Sequence, residues 1–169
     1  MASICGVEVK NLKTFRGHEG EPLYQGSIYL NGKRLGYWSQ DSWGGCDDYD
    51  FNVDILNPVV KKVANTTLVD SDYKDIFDVD CLIDMVIKLK EDEKVYKNFC
   101  KKGYPCTLLV TDRYHCFYSA TRDKSAVTDK QYAMQYFKKQ IDEYASKCFK
   151  NGKIKIKIYN RADDFILNF

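Results

Sequence analysis

The side chains able to do covalent or acid–base chemistry are few. The 169-residue chain has two histidines, His18 and His115, and seven cysteines, at positions 5, 46, 81, 100, 106, 116 and 148. Nucleophilic catalysis needs an activated Ser or Cys held beside a base. His115 and Cys116 are adjacent in a β-prone run, where neighbours point to opposite faces, so they do not form such a pair. His18 lies in the turn-forming segment RGHEGEP (16–22), and no G-x-S-x-G occurs. The cysteines are odd in number, irregularly spaced and free of any C-x-x-C. That pattern fits reduced thiols packed as small hydrophobes better than a disulfide framework or a zinc site. Asp48-x-Asp50-x-Asn52-x-Asp54 alternates oxygen ligands as the start of a calcium loop does. Val53 then stands where the tight turn needs Gly, and Val59 where the bidentate Glu belongs. The glycines of GHEGEP lead into a strand and those of WGGC into aspartates, and neither arrangement cradles a phosphate. The residues therefore predict a protein without metal or cofactor that does not act as an enzyme. A small enzyme or nucleotide-binding protein is the remaining catalytic alternative.

Recognition chemistry is better represented. Trp38, Asp41, Trp43, Asp47, Asp48, Asp50 and Asp54 crowd aromatic and carboxylate groups into seventeen positions. Exposed aromatic rings supply contact area and carboxylates address a basic partner, including one that itself binds nucleic acid. The opposing reading makes both tryptophans packing residues, and the sequence leaves the two readings open. Charge is segregated along the chain. Residues 36–100 hold fourteen acidic against seven basic side chains, and residues 101–169 hold seven acidic against fourteen basic. In the basic third, Lys147, Lys150, Lys153, Lys155 and Lys157 lie near Tyr132, Tyr136, Tyr144 and Tyr159. Cations with stacking rings suit a sequence-tolerant nucleic-acid surface, although lysines also keep strand edges soluble. A nucleic-acid-binding module is thus the second reading.

These groups must be positioned by regular elements. Ile4 to Phe15 predicts a first strand, irregular around Gly6. LYQGSIYL and KRLGYWSQ flank Asn31-Gly32, the dipeptide suited to a tight hairpin turn because both residues tolerate positive φ. Tyr49, Phe51, Val53 and Ile55 alternate with Asp48, Asp50, Asn52 and Asp54, predicting an extended, acidic-faced segment. Pro58 starts a short helix over 59–64. Apolar steps of three and four from Phe77 to Leu89 predict an amphipathic helix starting near Asp75 or Asp78. It continues to Phe99 or breaks at EDEK (91–94), and Gly103 and Pro105 end it. Residues 106–120 read as a second hairpin. A helix over 128–150 opens with a Thr128/Gln131 capping pattern, and Tyr132, Met134, Phe137, Ile141, Tyr144, Ala145 and Cys148 form its stripe. KIKIKIY (153–159) reads as a strand with isoleucines on one face, and the Phe- and Leu-bearing tail docks.

The expectation is one α+β domain over residues 1–169. It has a mainly antiparallel sheet, built from two hairpins plus a C-terminal strand, with two to three helices packed on it. The first residues lack a basic segment followed by an apolar one, and no apolar run approaches the roughly 20 residues of a membrane helix. A cytoplasmic protein without membrane contact is the reading.

Three short stretches carry a resemblance. Val9-Lys10-Asn11-Leu12-Lys13, Tyr29-Leu30-Asn31-Gly32-Lys33 and Asp41-Ser42-Trp43-Gly44-Gly45 resemble the opening strand, hairpin and glycine loop of small proteins carried by bacteriophages, plasmids and other mobile elements. They fall within about 40 residues and include no catalytic signature. The resemblance implies an accessory protein of the anti-CRISPR or anti-restriction kind. Such a protein would bind and inhibit a bacterial host defence protein in the host cytoplasm, presenting an acidic face to a nucleic-acid-binding effector.

Overall fold

Asn31 and Gly32 adopt φ 50° and 79°, the left-handed geometry that a two-residue hairpin turn needs, and they join two long strands. The computed structural model describes residues 1–112, 116–147 and 154–169. They form the expected α+β architecture, but the strands build two sheets rather than one. The residues group into two compact units, Met1–Glu91 with Phe165–Phe169, and Asp92–Asp164.

In the first unit the strands are β1 (Ser3–Ile4), β2 (Val7–Arg16), β3 (Pro22–Leu30), β4 (Lys33–Ser39), β5 (Asp48–Tyr49) and β9 (Ile166–Leu167). Their order is β5-β4-β3-β2-β1-β9. All pairs are antiparallel except β1 with β9, which is parallel. The expected first strand is split by a second tight turn, with Cys5 at φ 47° and Gly6 at φ 81°. The tail docks as expected: Phe165 is fully buried and Ile166 and Leu167 pair with Ser3 and Ile4.

The acidic-faced segment is the main correction. Only Asp48 and Tyr49 pair as a strand; Val53–Leu56 is a 3-10 turn that leads into α1 (Asn57–Ala64). Asn52 ends the extension by accepting the backbone N–H of Asp54 at 3.0 Å, which is how Asn starts helical turns. Pro58 occupies the first turn of α1, as anticipated.

Helix α2 (Val79–Lys101) runs without a break through EDEK. Asp78 caps it, accepting the N–H of Cys81 at 2.9 Å. Gly103, at φ 82°, closes it: Gly103 N bonds Cys100 O and Tyr104 N bonds Phe99 O. This is the paired C-terminal bonding that glycine permits. Leu82, Ile83, Val86, Ile87 and Leu89 are its buried stripe. Side-chain bonds tie its first half across the sheet. Lys90 Nζ donates to Val9 O at 2.7 Å, Tyr24 Oη to Glu91 at 2.7 Å and Gln40 Nε2 to Asp84 at 3.4 Å.

In the second unit β6 (Cys106–Thr111), β7 (Cys116–Thr121) and β8 (Lys155–Tyr159) form an antiparallel sheet ordered β7-β6-β8. The two strands of the second hairpin pair as expected, its connection over 113–115 lying outside the described residues, and the isoleucine face of β8 meets the core. The last helix differs in detail. A short α3 (Lys124–Thr128) precedes α4 (Lys130–Lys147), and Asp129, not Thr128, caps α4 by accepting Gln131 N at 2.8 Å. Ala133, Phe137 and Ile141 are buried, whereas Tyr132 and Met134 are exposed on α4. The expected extension to residue 150 and the core position of Cys148 lie outside the described residues. Among the described residues no helix is long and apolar enough to cross a membrane.

Candidate functional site

The two tryptophans have opposite fates. Trp38 sits on β4 facing inward and is fully buried. Its Nε1 donates to Asp47 Oδ2 at 2.7 Å, because a buried indole N–H needs an acceptor. Trp38 is therefore a packing residue and leaves the expected contact surface. Trp43 is 75% exposed and is held in place. Its ring stacks on His18, with centroids 4.0 Å apart and an interplanar angle of 25°. Beneath the stack His18 N donates to Ser42 O at 2.9 Å. Asp41 shapes the loop that presents this ring, accepting Trp43 N at 3.3 Å and Gly45 N at 2.7 Å.

The other aspartates divide in the same way between building and display. Asp50 Oδ1 accepts the N–H of Tyr37, and Asp50 N donates to Tyr37 O at 3.1 Å. A Cβ at position 36 would overlap the Asp50 carboxylate, so Gly36 is what lets this aspartate reach the strand. Asp54 accepts Asn57 Nδ2 at 2.9 Å. These bonds turn Asp50, Asn52 and Asp54 to separate local tasks. Among the described residues no group of three His, Cys, Asp or Glu side chains is placed to hold a metal. Asp48 stands exposed on β5, and Asp47 is half-buried beneath Trp38.

The cap and first turns of α2 bring further carboxylates to this region: Asp78, Asp80 and Asp84. Tyr49 Oη donates to Asp80, joining β5 to the first turn of α2. Burial and this bond to Asp80 raise the Tyr49 hydroxyl far above its ordinary range. Burial also pushes the Asp47 carboxyl up, against the Trp38 hydrogen bond, and Asp80, Asp78 and Asp48 add to the rise. Asp84 is exposed, yet the desolvation of its carboxyl first, then Asp47, Asp80 and Asp78, push it up to about 6. Four like charges thus share one end of the sheet. The signal for them was present in the sequence, because Asp80 and Asp84 are four apart and so share one helix face.

Beside these carboxylates opens a cleft of about 480 Å³. Tyr49, Val53, Val60, Phe77 and Val79 give it an apolar lining, and Asn57, Lys61, Asp78 and Asp80 supply its polar groups.

The lysines expected to meet nucleic acid are brought together only in part. Lys150 and Lys153 lie outside the described residues, and Lys147 is the last residue of α4. Lys155 and Lys157 share the outer face of β8, and Lys157 Nζ lies 3.8 Å from the buried Asp92. Asp92 also accepts Tyr159 Oη at 2.8 Å and Tyr118 Oη at 3.1 Å. Two of the four expected stacking rings are committed elsewhere. Tyr159 is buried on Asp92, and Tyr144 stacks on Phe117 with centroids 3.5 Å apart. Tyr132 and Tyr136 remain exposed.

No protein-family model, no curated protein and no solved structure matches this chain.

Proposed function

We propose that the chain acts by binding a basic protein through the face around Trp43. Its partner is a bacterial host protein, and binding inhibits it. The observation that carries this reading is the exposed Trp43 ring, fixed by His18 and by the Asp41 loop, in the same β4–β5 connection that carries Asp47. A large exposed aromatic held rigid loses little entropy on docking, and rings of this kind dominate binding energy. Uncompensated carboxylates nearby raise the encounter rate with a cationic surface and disfavour acidic partners. The contact set is Asp41, Trp43, Asp47 and Asp48, extended by Asp80 and Asp84; Trp38, Asp50 and Asp54 hold it in shape. The N-terminal resemblance supports the setting: an accessory protein of a phage or mobile element, acting in the host cytoplasm on a defence effector whose own ligand is nucleic acid.

The test is a pull-down from bacterial lysate, with and without nuclease, using wild type and Trp43→Ala. The reading expects one or a few proteins retained after nuclease treatment and lost with Trp43→Ala. Retention that vanishes with nuclease transfers the function to the basic third of the chain. Retention of no protein at all refutes the proposal.

A further inference from the structure

The apolar cleft beside the carboxylates does more than the Trp43 face requires, and three observations describe what would fill it. First, its volume of about 480 Å³ falls within the roughly 300–1,000 Å³ typical of ligand clefts. Second, segments adjoining its lining in sequence carry exposed apolar side chains. The 3-10 turn Ser71–Ile76, which leads into Phe77, buries none of its six residues, and Tyr73 and Ile76 are 59% and 67% exposed. Ile55 is 46% exposed in the turn that also carries Val53. Large apolar side chains left exposed around an apolar cleft mark a docking surface wider than one small molecule. Third, the polar groups favour positive charge. Asp78 and Asp80 line the cleft against the single ammonium of Lys61, with Asp47 in the β4–β5 connection and Asp84 one turn further along α2 adding negative charge.

We infer that this cleft docks an extended segment of a partner protein, one that inserts an apolar side chain between Tyr49, Val60 and Phe77 and sets flanking Lys or Arg on Asp78 and Asp80. The inference rests on the protein-binding reading above and specifies the chemistry of the partner. The apolar anchor supplies affinity by leaving water. The flanking cations supply selectivity, because an acidic or neutral segment would face unanswered carboxylates.

The test uses a random-peptide phage library panned on the full chain, with selected peptides then synthesised and titrated by fluorescence polarisation. Two variants probe the cleft. Asp78→Asn with Asp80→Asn removes both charges, yet Asn still caps α2 and still accepts the Tyr49 hydroxyl. Phe77→Ala removes apolar lining, and circular dichroism verifies that both variants fold. The expected result is enrichment of peptides with Leu, Ile or Phe flanked by Lys or Arg. Their affinity should fall about tenfold or more in each variant, and weaken as salt rises. No enrichment, enrichment without basic residues, or equal binding to the neutralised variant overturns the inference. A host protein retained through Trp43 but indifferent to the cleft variants overturns the cleft alone. Peptides held by the cleft with no host protein retained overturn the function proposed above and leave the cleft standing.

Discussion

Replacing Asp84 with Asn should stabilise the protein at neutral pH and leave it unchanged in acid. The folded carboxyl titrates at about 6 instead of 3.8 because it is partly buried and faces Asp47, Asp80 and Asp78. Below 3.8 it is protonated in folded and unfolded chains alike, and its charge costs nothing. Between 3.8 and about 6 the folded chain keeps a proton that the unfolded chain releases, so stability falls as pH rises through this window. Above it the full cost applies. At about 1.4 kcal/mol per pKa unit the ceiling is about 3 kcal/mol. The exposed edge of Asp84 lets water screen the repulsion, which leaves about 1 kcal/mol. Asn keeps the oxygen that accepts from Gln40, so packing is preserved. Urea unfolding of both proteins, followed by tryptophan fluorescence, gives the difference at each pH. It should be near zero at pH 3 and approach its plateau, about 1 kcal/mol in favour of Asn, by pH 7.5. A difference that does not change with pH, or an Asn variant less stable than wild type at pH 7.5, would refute the crowding argument.

Gly36→Ala should cost about 1–3 kcal/mol, because the new methyl displaces the Asp50 carboxylate from Tyr37 N. In an Asp50→Ala background the same change should cost less, the remainder being the contact of the new methyl with Phe51, and a double-mutant cycle by urea unfolding measures that coupling. Asp92→Ala leaves two tyrosine hydroxyls and the Lys157 ammonium without their shared acceptor. The loss should be about 3–5 kcal/mol, seen as a lower urea midpoint and as faster hydrogen exchange in β6 and β8.

The elements legible in the sequence were those specified by their own neighbours. Asn31-Gly32 dictates its turn without help, the stripe from Leu82 to Leu89 needs only helical spacing, and alternating Ile and Lys in β8 fix its two faces. The stretch from Asp48 to Ile55 misled because its period of two is real, while the bonds that decide its shape are side chain to backbone. Asn52 folds back on Asp54, and Asp50 reaches a strand thirteen residues earlier. Such capping competes with extension and leaves no periodic trace. At the candidate site, the aromatic and acidic loop was legible, but which tryptophan it exposes was not. The burial of Trp38 was not, because its acceptor Asp47 reads equally well as a surface charge. Asp78, Asp80 and Asp84 lie off the apolar stripe that makes the helix legible. Their meeting with Tyr49 and Asp47 is a tertiary event across some thirty residues of sequence.

The parallel pairing of Ile166 and Leu167 with Ser3 and Ile4 has a consequence for how the protein is made. On the ribosome, β1 to β5 and the first half of α2 emerge long before the strand that completes their sheet. Until β9 arrives, the outer side of β1 is an unpaired edge, able to recruit a strand from another chain. The residues of the second unit must all be translated during that interval. Newly made chains at high expression are therefore most open to intermolecular association just before residue 166 leaves the tunnel, and slow translation through the second unit prolongs that exposure.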